Sequence, residues 1–147
     1  MDDSFTLFVY AVPAGTSSFP SQDNVCDWLE SHGTKVGEAI EFKPGDTRRF
    51  FKTLYDLIQA DLMPLVGTTI MDSLDELEFC SGSLAGEGLR AAAMLLHQTV
   101  YSKRSEAAAF VAQNNVDPVW FLQTAGMLYE MLNSCVESDS VAFGYFE

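Results

Sequence analysis

The chain has 147 residues, of which 48% are hydrophobic, and it carries 21 Asp and Glu residues against 8 Lys and Arg residues. A net charge of −13 on a chain with 11 Phe, 5 Tyr and 2 Trp excludes the class of disordered acidic chains, which lack the apolar residues for a core. The same charge disfavours binding to nucleic acid or to an anionic membrane surface, and it favours a partner protein with a basic surface.

The length fits one globular domain spanning residues 1–147. The three cysteines, Cys26, Cys80 and Cys135, are an odd number without paired spacing, which is typical of reduced thiols rather than of a disulfide framework. No apolar run is long enough to span a bilayer, and the first residues lack the basic region of a signal peptide. We therefore expect a cytoplasmic protein with no membrane partner.

The first predicted element is a strand at residues 5–12, where aromatic, aliphatic and β-branched residues follow one another without interruption. Such a run is typical of a strand that is buried on both faces. Pro13 and Gly15 end it.

A loop of turn-forming residues is expected over residues 13–24. Asp23 or Asn24 at its end can cap a short helix that ends near Gly33. Residues 38–42 alternate only weakly between polar and apolar, so they form either a short strand or a loop.

The clearest helical pattern covers residues 47–62. Its apolar residues recur at spacings of three and four, as a core-facing stripe requires: Phe50, Phe51, Leu54, Leu57, Ile58 and Leu62. Phe51, Leu54 and Ile58 should be nearly inaccessible to solvent. Asp46 or Thr47 should supply the N-cap oxygen.

Two more helices are predicted over residues 69–79 and 84–103, with Gly82 and Ser83 forming the loop before the second. Its inward residues should be Leu89, Ala92, Leu96 and Val100. Residues 106–112 are rich in Ala and either continue that helix or form a short helix of their own.

Asp117 and Pro118 mark the start of a further helix, because they place an Asx cap before a Pro at the first helical position. The helix should break near Ser138, and its inward residues should be Phe121, Leu122, Ala125, Leu128, Leu132 and Cys135. Residues 141–146 then form an apolar strand that must be paired, and its natural partner is the strand at residues 5–12.

These elements predict an α+β fold that is mainly helical. Four to six helices should pack on a small sheet in which the N- and C-terminal strands pair with each other.

The densest charge cluster is an acidic stretch within the predicted helix 69–79, formed by Asp72, Asp75, Glu76 and Glu78. Residues three and four apart are neighbours on a helix, so positions 72, 75 and 76 share one face. Like charges there cost stability unless a basic partner neutralises them; the alternative is a solvated face without a partner. We take these four acidic residues as the candidate partner-binding site.

Half of the basic residues lie within ten positions, namely Lys43, Arg48, Arg49 and Lys52. Together with the backbone N–H groups that follow Gly45, they have the chemistry to bind an anion at the start of a helix. In a chain with this many carboxylates, ion pairs within the chain are the expected alternative.

Candidate catalytic or metal-ligating residues are few. His32, His97 and Cys80 do not show the short paired spacings of zinc sites, so no metal or other cofactor is expected. His97 lies on a predicted apolar helix and should be packed or hydrogen-bonded there rather than act as a base. The glycines between residues 82 and 88 match neither a nucleophile elbow nor a dinucleotide-binding motif. We therefore expect no enzymatic activity.

The acidic charge and the absence of a catalytic motif favour a protein-binding module. Inhibitors, immunity proteins and antitoxins are commonly small, acidic single domains, and complementary charge speeds their binding to a basic, toxin-like effector. Two alternatives stay open. One is a small enzyme with a site built from His97, Cys80 or a pair of carboxylates, and the other is a structural or scaffolding subunit that oligomerises through its aromatic residues.

Overall fold

The structure, a computed structural model, describes residues 5–14, 25–43, 45–59, 62 and 81–146. The described residues contain five helices and four strands. In chain order these are β1 (Phe5–Pro13), α1 (Val25–His32), β2 (Thr34–Phe42), α2 (Asp46–Ile58), β3 (Ser81–Leu84), α3 (Gly86–Val100), α4 (Arg104–Gln113), α5 (Pro118–Glu137) and β4 (Ser140–Phe146). The predicted α+β, mainly helical fold is confirmed, whereas the predicted helix at 69–79 lies outside the described residues.

The four strands form one antiparallel sheet in the order β2-β1-β4-β3. The central pair is β1 with β4, and its register sets Leu7 opposite Phe146 and Val12 opposite Val141. The predicted pairing of the N- and C-terminal strands is therefore confirmed. Each strand supplies the hydrogen-bonding groups that the other needs once its backbone is buried.

Strand β1 is buried on both faces, as its continuous apolar run predicts. Alternate side chains of a strand point to opposite faces. Leu7 and Val9 join the main core between the sheet and the helices, while Tyr10 and Val12 pack with Leu29 of α1 on the other face. The short helix α1 therefore covers this second face of β1.

Helix α5 is the longest described helix, with 20 residues. It begins as predicted, because Pro118 is at its start and the Asp117 carboxylate accepts a hydrogen bond from the Val119 N–H at 3.1 Å. The whole predicted stripe is buried, from Phe121 to Cys135, and so is the predicted stripe of α3. No helix in the described part of the chain has both the length and the hydropathy needed to cross a lipid bilayer.

Helix α2 packs its aromatic residues into the core, with the Phe50 ring centroid 5.1 Å from that of Phe121. Phe51 and Leu54 are buried as predicted, but Ile58 is only half-buried, so the expected burial of Ile58 is wrong. The helix ends at Ile58, because Gln59 takes a left-handed conformation and donates its N–H to the Tyr55 carbonyl.

The start of α2 also differs from the prediction. The N-cap is Gly45 at φ 81°, with no side-chain cap, rather than Asp46 or Thr47. Glycine reaches this left-handed conformation without the steric cost that other residues meet. Asp46 is already helical, and the Thr47 side chain is buried, so neither residue serves as the cap.

One segment that was predicted as a loop is a strand, and residues 38–42, for which a strand and a loop were both open, belong to a strand. Residues 81–84 form β3 at the edge of the sheet, with Gly82 opposite Gly144 of β4, and the helix that follows begins only at Gly86. Strand β2 begins at Thr34, earlier than the predicted start at residue 38. The Ala-rich segment is a helix of its own, α4, and the Arg104 guanidinium donates to the Val100 carbonyl at the end of α3.

Candidate partner-binding site

The predicted partner-binding residues Asp72, Asp75, Glu76 and Glu78 lie outside the described residues, so this assignment stays a prediction. They belong to a longer acidic stretch, since the chain between Lys52 and Arg90 carries seven acidic residues and no basic one. All eight Lys and Arg residues lie in the described part of the chain, whereas nine of the 21 acidic residues lie outside it. Acidic charge is therefore concentrated in the sequence around positions 72–78.

The twelve acidic residues that the structure describes lie at the surface. All are exposed except Asp46, which is half-buried. The eleven exposed residues are Asp27, Glu30, Glu38, Glu41, Asp56, Glu87, Glu106, Asp117, Glu130, Glu137 and Asp139. Among the described side chains one ion pair is formed, between Arg49 Nη1 and Asp46 Oδ1 at 3.7 Å. Most of this negative charge is thus not neutralised within the described part of the chain.

The cluster of basic residues lies at the start of α2 and just before it. Arg48, Arg49 and Lys52 are exposed on the helix, and Lys43 is exposed just after β2. The expected pairing within the chain is confirmed for Arg49, which contacts Asp46 one turn away. An exposed pair of this kind contributes about 0–1 kcal/mol, so it does little to fix the fold.

Both histidines lie at the surface in contact with aromatic rings. His32 is stacked on Trp28 with ring centroids 4.7 Å apart, and its Nδ1 lies 3.0 Å from the Trp28 carbonyl oxygen. His97 is exposed, and it packs against two Tyr rings at the surface. Its ring centroid lies 4.7 Å from that of Tyr101 and 5.3 Å from that of Tyr129.

The described cysteine thiol is unsuited to nucleophilic chemistry. Cys135 is free and fully buried, and burial raises the pKa of its thiol to about 11. The reactive form of cysteine is the thiolate, which is scarce at neutral pH when the pKa is this high. Cys80 lies outside the described residues. Within the described residues no group of three His, Cys, Asp or Glu side chains is placed to hold a metal ion.

A groove between α3 and α5, called here the α3–α5 groove, is a surface feature that the sequence analysis missed. Its volume is about 290 Å³, and it is lined by Arg90, Ala93, Met94, His97, Tyr129, Asn133 and Val136. Met94 and the adjoining Tyr101 are each 57% exposed. The signal was present in the sequence, because Met94, His97 and Tyr101 are spaced by three and four residues and form a second stripe beside the buried one.

Comparisons of the chain with protein-family models, with curated protein sequences and with solved structures found no match. Function is therefore inferred from the residues, charges and surfaces of the chain itself.

Proposed function

We propose that this chain is an acidic protein-binding module of the inhibitor, immunity-protein or antitoxin type, which neutralises a partner protein that has a basic surface. The observation that supports this proposal is the excess of exposed carboxylates. Eleven of the twelve described acidic residues are exposed, and the ion pair between Arg49 and Asp46 is the one formed among the described side chains. A basic partner would meet a surface whose charge is available for pairing.

Complementary charge acts mainly on the rate of association. A net charge of −13 attracts a basic protein over a distance set by the ionic strength, and the Debye length is about 8 Å at physiological salt. Steering of this kind raises association rate constants from about 10⁵–10⁶ to as much as about 10⁸–10⁹ M⁻¹s⁻¹ at low salt. A fast association rate suits a protein that must capture a harmful effector before the effector finds its target.

The effector that fits this proposal is a protein whose own working surface is basic, such as a toxin that acts on nucleic acid. By covering that surface, the acidic module excludes the effector's substrate. Asp72, Asp75, Glu76 and Glu78 are the proposed docking residues because they form the densest acidic cluster of the chain. We propose the cytoplasm as the compartment, which the free thiol of Cys135 supports.

A structural or scaffolding subunit is a second candidate, and one observation favours it. Tyr101 and Met94 are each 57% exposed and flank the α3–α5 groove, and exposed aromatic and Met side chains are common in interfaces between subunits. Sedimentation velocity over a range of concentrations tests this candidate, because a scaffolding subunit should associate with itself.

Charge reversal tests the proposed docking residues. A binding protein is first captured from source lysate at low salt and eluted at high salt, and its association with the chain is then measured. The double variant Asp72→Lys, Asp75→Lys should slow association at low salt and leave dissociation nearly unchanged, because rim charges act on encounter. The matched control is Glu38→Lys, Glu41→Lys on β2, which changes the net charge by the same amount with two exposed residues.

The control separates a local effect from a global one. Slower association in the 72/75 variant alone supports the acidic stretch as the docking site. Equal slowing in both variants would assign the effect to net charge and contradict the docking residues. An association rate that changes neither with the charge reversals nor with the salt concentration would refute neutralisation by complementary charge.

A further inference from the structure

The α3–α5 groove is built from two helix faces that meet side by side. Arg90, Met94 and His97 are spaced by three and four residues along α3, and Tyr129, Asn133 and Val136 have the same spacing along α5. Residues with these spacings lie on one face of a helix. Grooves between two helices are a common docking place for a third, amphipathic helix, which inserts apolar side chains along the groove.

One end of the groove carries three aromatic rings. Tyr101 and Tyr129 have ring centroids 6.3 Å apart with their planes at 82°, and His97 contacts both rings. Tyr101 is more than half exposed, so its ring is open to a binding partner. The face of a Tyr ring attracts the cationic group of a Lys or Arg side chain.

Carboxylates surround the groove on the side of α5. Glu130 and Glu137 are exposed, and the Asn133 side-chain amide donates a hydrogen bond to Glu137 Oε1 at 3.1 Å. Partial burial raises the pKa of Tyr129, and the charge of Glu130, the neighbouring Tyr101 and the charge of Glu137 raise it further. The two carboxylates therefore act electrostatically on the ring that lines the groove.

The C-terminal end of α5 also carries negative charge, but it lies at the Arg90 end of the groove, because Arg90, Val136 and Asp139 line one adjoining pocket. The last turn of α5 contains Glu137 and no basic residue, and Asp139 follows after the C-cap Ser138. A helix C-terminus is the negative end of the helix dipole and is stabilised by cations. Within the lining of the groove, Arg90 is the one Lys or Arg residue, and it lies at the end of the groove away from Tyr101.

Two other cations follow Tyr101 in the chain, and neither lines the α3–α5 groove. Lys103 lines a separate groove together with Leu57 and Leu95, and the Arg104 guanidinium donates to the Val100 carbonyl. The aromatic end of the α3–α5 groove thus combines ring faces with the carboxylate of Glu130.

We propose that the α3–α5 groove is a docking surface for an amphipathic basic helix of the partner protein, which inserts an apolar side chain beside Met94 and sets a Lys or Arg against Tyr101, Tyr129 and Glu130. This inference rests on the proposed function, since it specifies a face and the chemistry of the partner. It adds an apolar anchor to an interaction that charge alone would leave weakly specific.

The probe is a synthetic peptide of about 15 residues with Leu and Lys at helical spacing, which binds as a model of the partner helix. A matched peptide with every Leu replaced by Ser retains the charge and lacks the anchor. Each peptide is titrated into isotope-labelled full-length protein at low salt, and the shifted amide resonances are mapped. The Leu-containing peptide should shift amides along the groove, around Met94, His97 and Tyr129, and the Ser-containing peptide should bind at least about tenfold more weakly.

Tyr101→Ala should weaken binding of the Leu-containing peptide by about tenfold, as truncation of an aromatic anchor does. Tyr55→Ala is the matched control, because Tyr55 is a Tyr of similar exposure on another helix, 49% against 57%, and it should leave binding unchanged. Both side chains are largely exposed, so neither substitution should unfold the protein, and a melting curve checks this.

The possible results separate this inference from the proposed function. Salt-sensitive binding that shifts other amides, including those of residues 72–78, would overturn the groove as the docking surface. The proposed function would still stand. Absence of salt-sensitive binding by either peptide would overturn both. Shifts in the groove that appear on concentrating the protein alone would make it a contact between copies of this chain, which also overturns the inference.

Discussion

Replacing Gly37 by Ala is expected to destabilise the fold strongly, and the cost can be worked out from the backbone. Gly37 lies in β2 where this strand passes over α5, and its φ is +66°. A Cβ at this position would lie 2.8 Å from Met131 Cγ, whereas real Cβ atoms essentially never approach a heavy atom within 3.0 Å. Met131 is fully buried, so its side chain has little room to move away.

Two effects add for Gly37→Ala. A left-handed conformation costs a non-glycine residue about 1–2 kcal/mol. Inserting a methyl group into a packed core costs about 1–3 kcal/mol more. The lower entropy of Ala in the unfolded chain offsets about 0.4–1 kcal/mol of this, so the free energy of unfolding should fall by about 1–5 kcal/mol.

Gly86→Ala is the matched control, because Gly86 has a similar φ of +58° and no heavy atom within 4 Å of a Cβ. It should cost only the conformational part less the same entropy offset, about 0–1.6 kcal/mol. Both variants are compared by urea denaturation followed by circular dichroism. In a Met131→Ala background the cost of Gly37→Ala should approach that of Gly86→Ala. Equal costs for the two Gly variants in the otherwise unaltered chain would refute a steric contribution from Met131.

Two further stability measurements follow from the core. Leu54→Ala should lower the free energy of unfolding by about 2–5 kcal/mol because Leu54 is fully buried. Ile58→Ala should lower it less because Ile58 is only half-buried. A larger loss for Ile58→Ala than for Leu54→Ala in urea denaturation would contradict the packing of α2. Burial raises the pKa of Cys135 from 9.0 to about 11, so between these pH values the unfolded chain releases a proton that the folded chain keeps. The free energy of unfolding should therefore fall by up to about 1.4 kcal/mol per pH unit as the pH rises through this range. The Cys135→Ala variant should lack this contribution. An identical pH slope in the variant would contradict the assignment of the slope to Cys135.

The elements predicted correctly are those in which the sequence pattern matches the burial that the fold gives the same residues. Strand β1 is apolar throughout because the main core and α1 bury its two faces, and α5 begins at the Asp117–Pro118 pair because that pair satisfies the helix start locally. In both elements the local preference of the residues and the environment that the fold provides favour the same structure.

The elements that the sequence missed or left open are held by contacts from distant parts of the chain. Strand β3 has the sequence Ser-Gly-Ser-Leu, which contains no β-branched or aromatic residue, and it is a strand because β4 offers a paired edge. Strand β2 is an edge strand with mostly exposed residues and an interrupted register against β1, so its first residues carry little apolar pattern. Neither feature can be deduced from residues that are close in sequence.

The start of α2 shows the same limit at the level of a single side chain. Asp46 and Thr47 have the chemistry of N-cap residues, yet the left-handed Gly45 takes that position. Thr47 is 1% exposed, and its Oγ1 has no hydrogen-bond partner. A buried hydroxyl without a partner costs free energy, so the packing of α2 against the core must outweigh it. The capping propensity of a residue does not include this balance between packing and hydrogen bonding, so it does not predict the observed N-cap.

For the candidate partner-binding site, the sequence predicts the charge of the surface better than it predicts the shape of the surface. The excess of acidic residues and their density near position 75 are properties of composition and spacing, and no tertiary structure is needed to see them. The α3–α5 groove requires two helices that α4 separates in the chain to lie side by side, which brings together Tyr101 and Tyr129, 28 positions apart. Periodicity identifies the stripe on α3, but only the fold supplies the opposite wall.

Stability and surface charge are carried by different residues in this chain. In the described part of the chain, the buried residues are apolar apart from four Thr side chains, Thr47, Thr53, Thr99 and Thr124, whereas eleven of the twelve described carboxylates are exposed. Substitution of an exposed charged residue that takes no part in the packed core usually changes the free energy of unfolding by about 0.5 kcal/mol or less. Reversal of acidic residues can therefore alter association with a basic partner while the fold stays intact. A loss of binding in such variants, with an unchanged melting curve, reports on recognition rather than on unfolding.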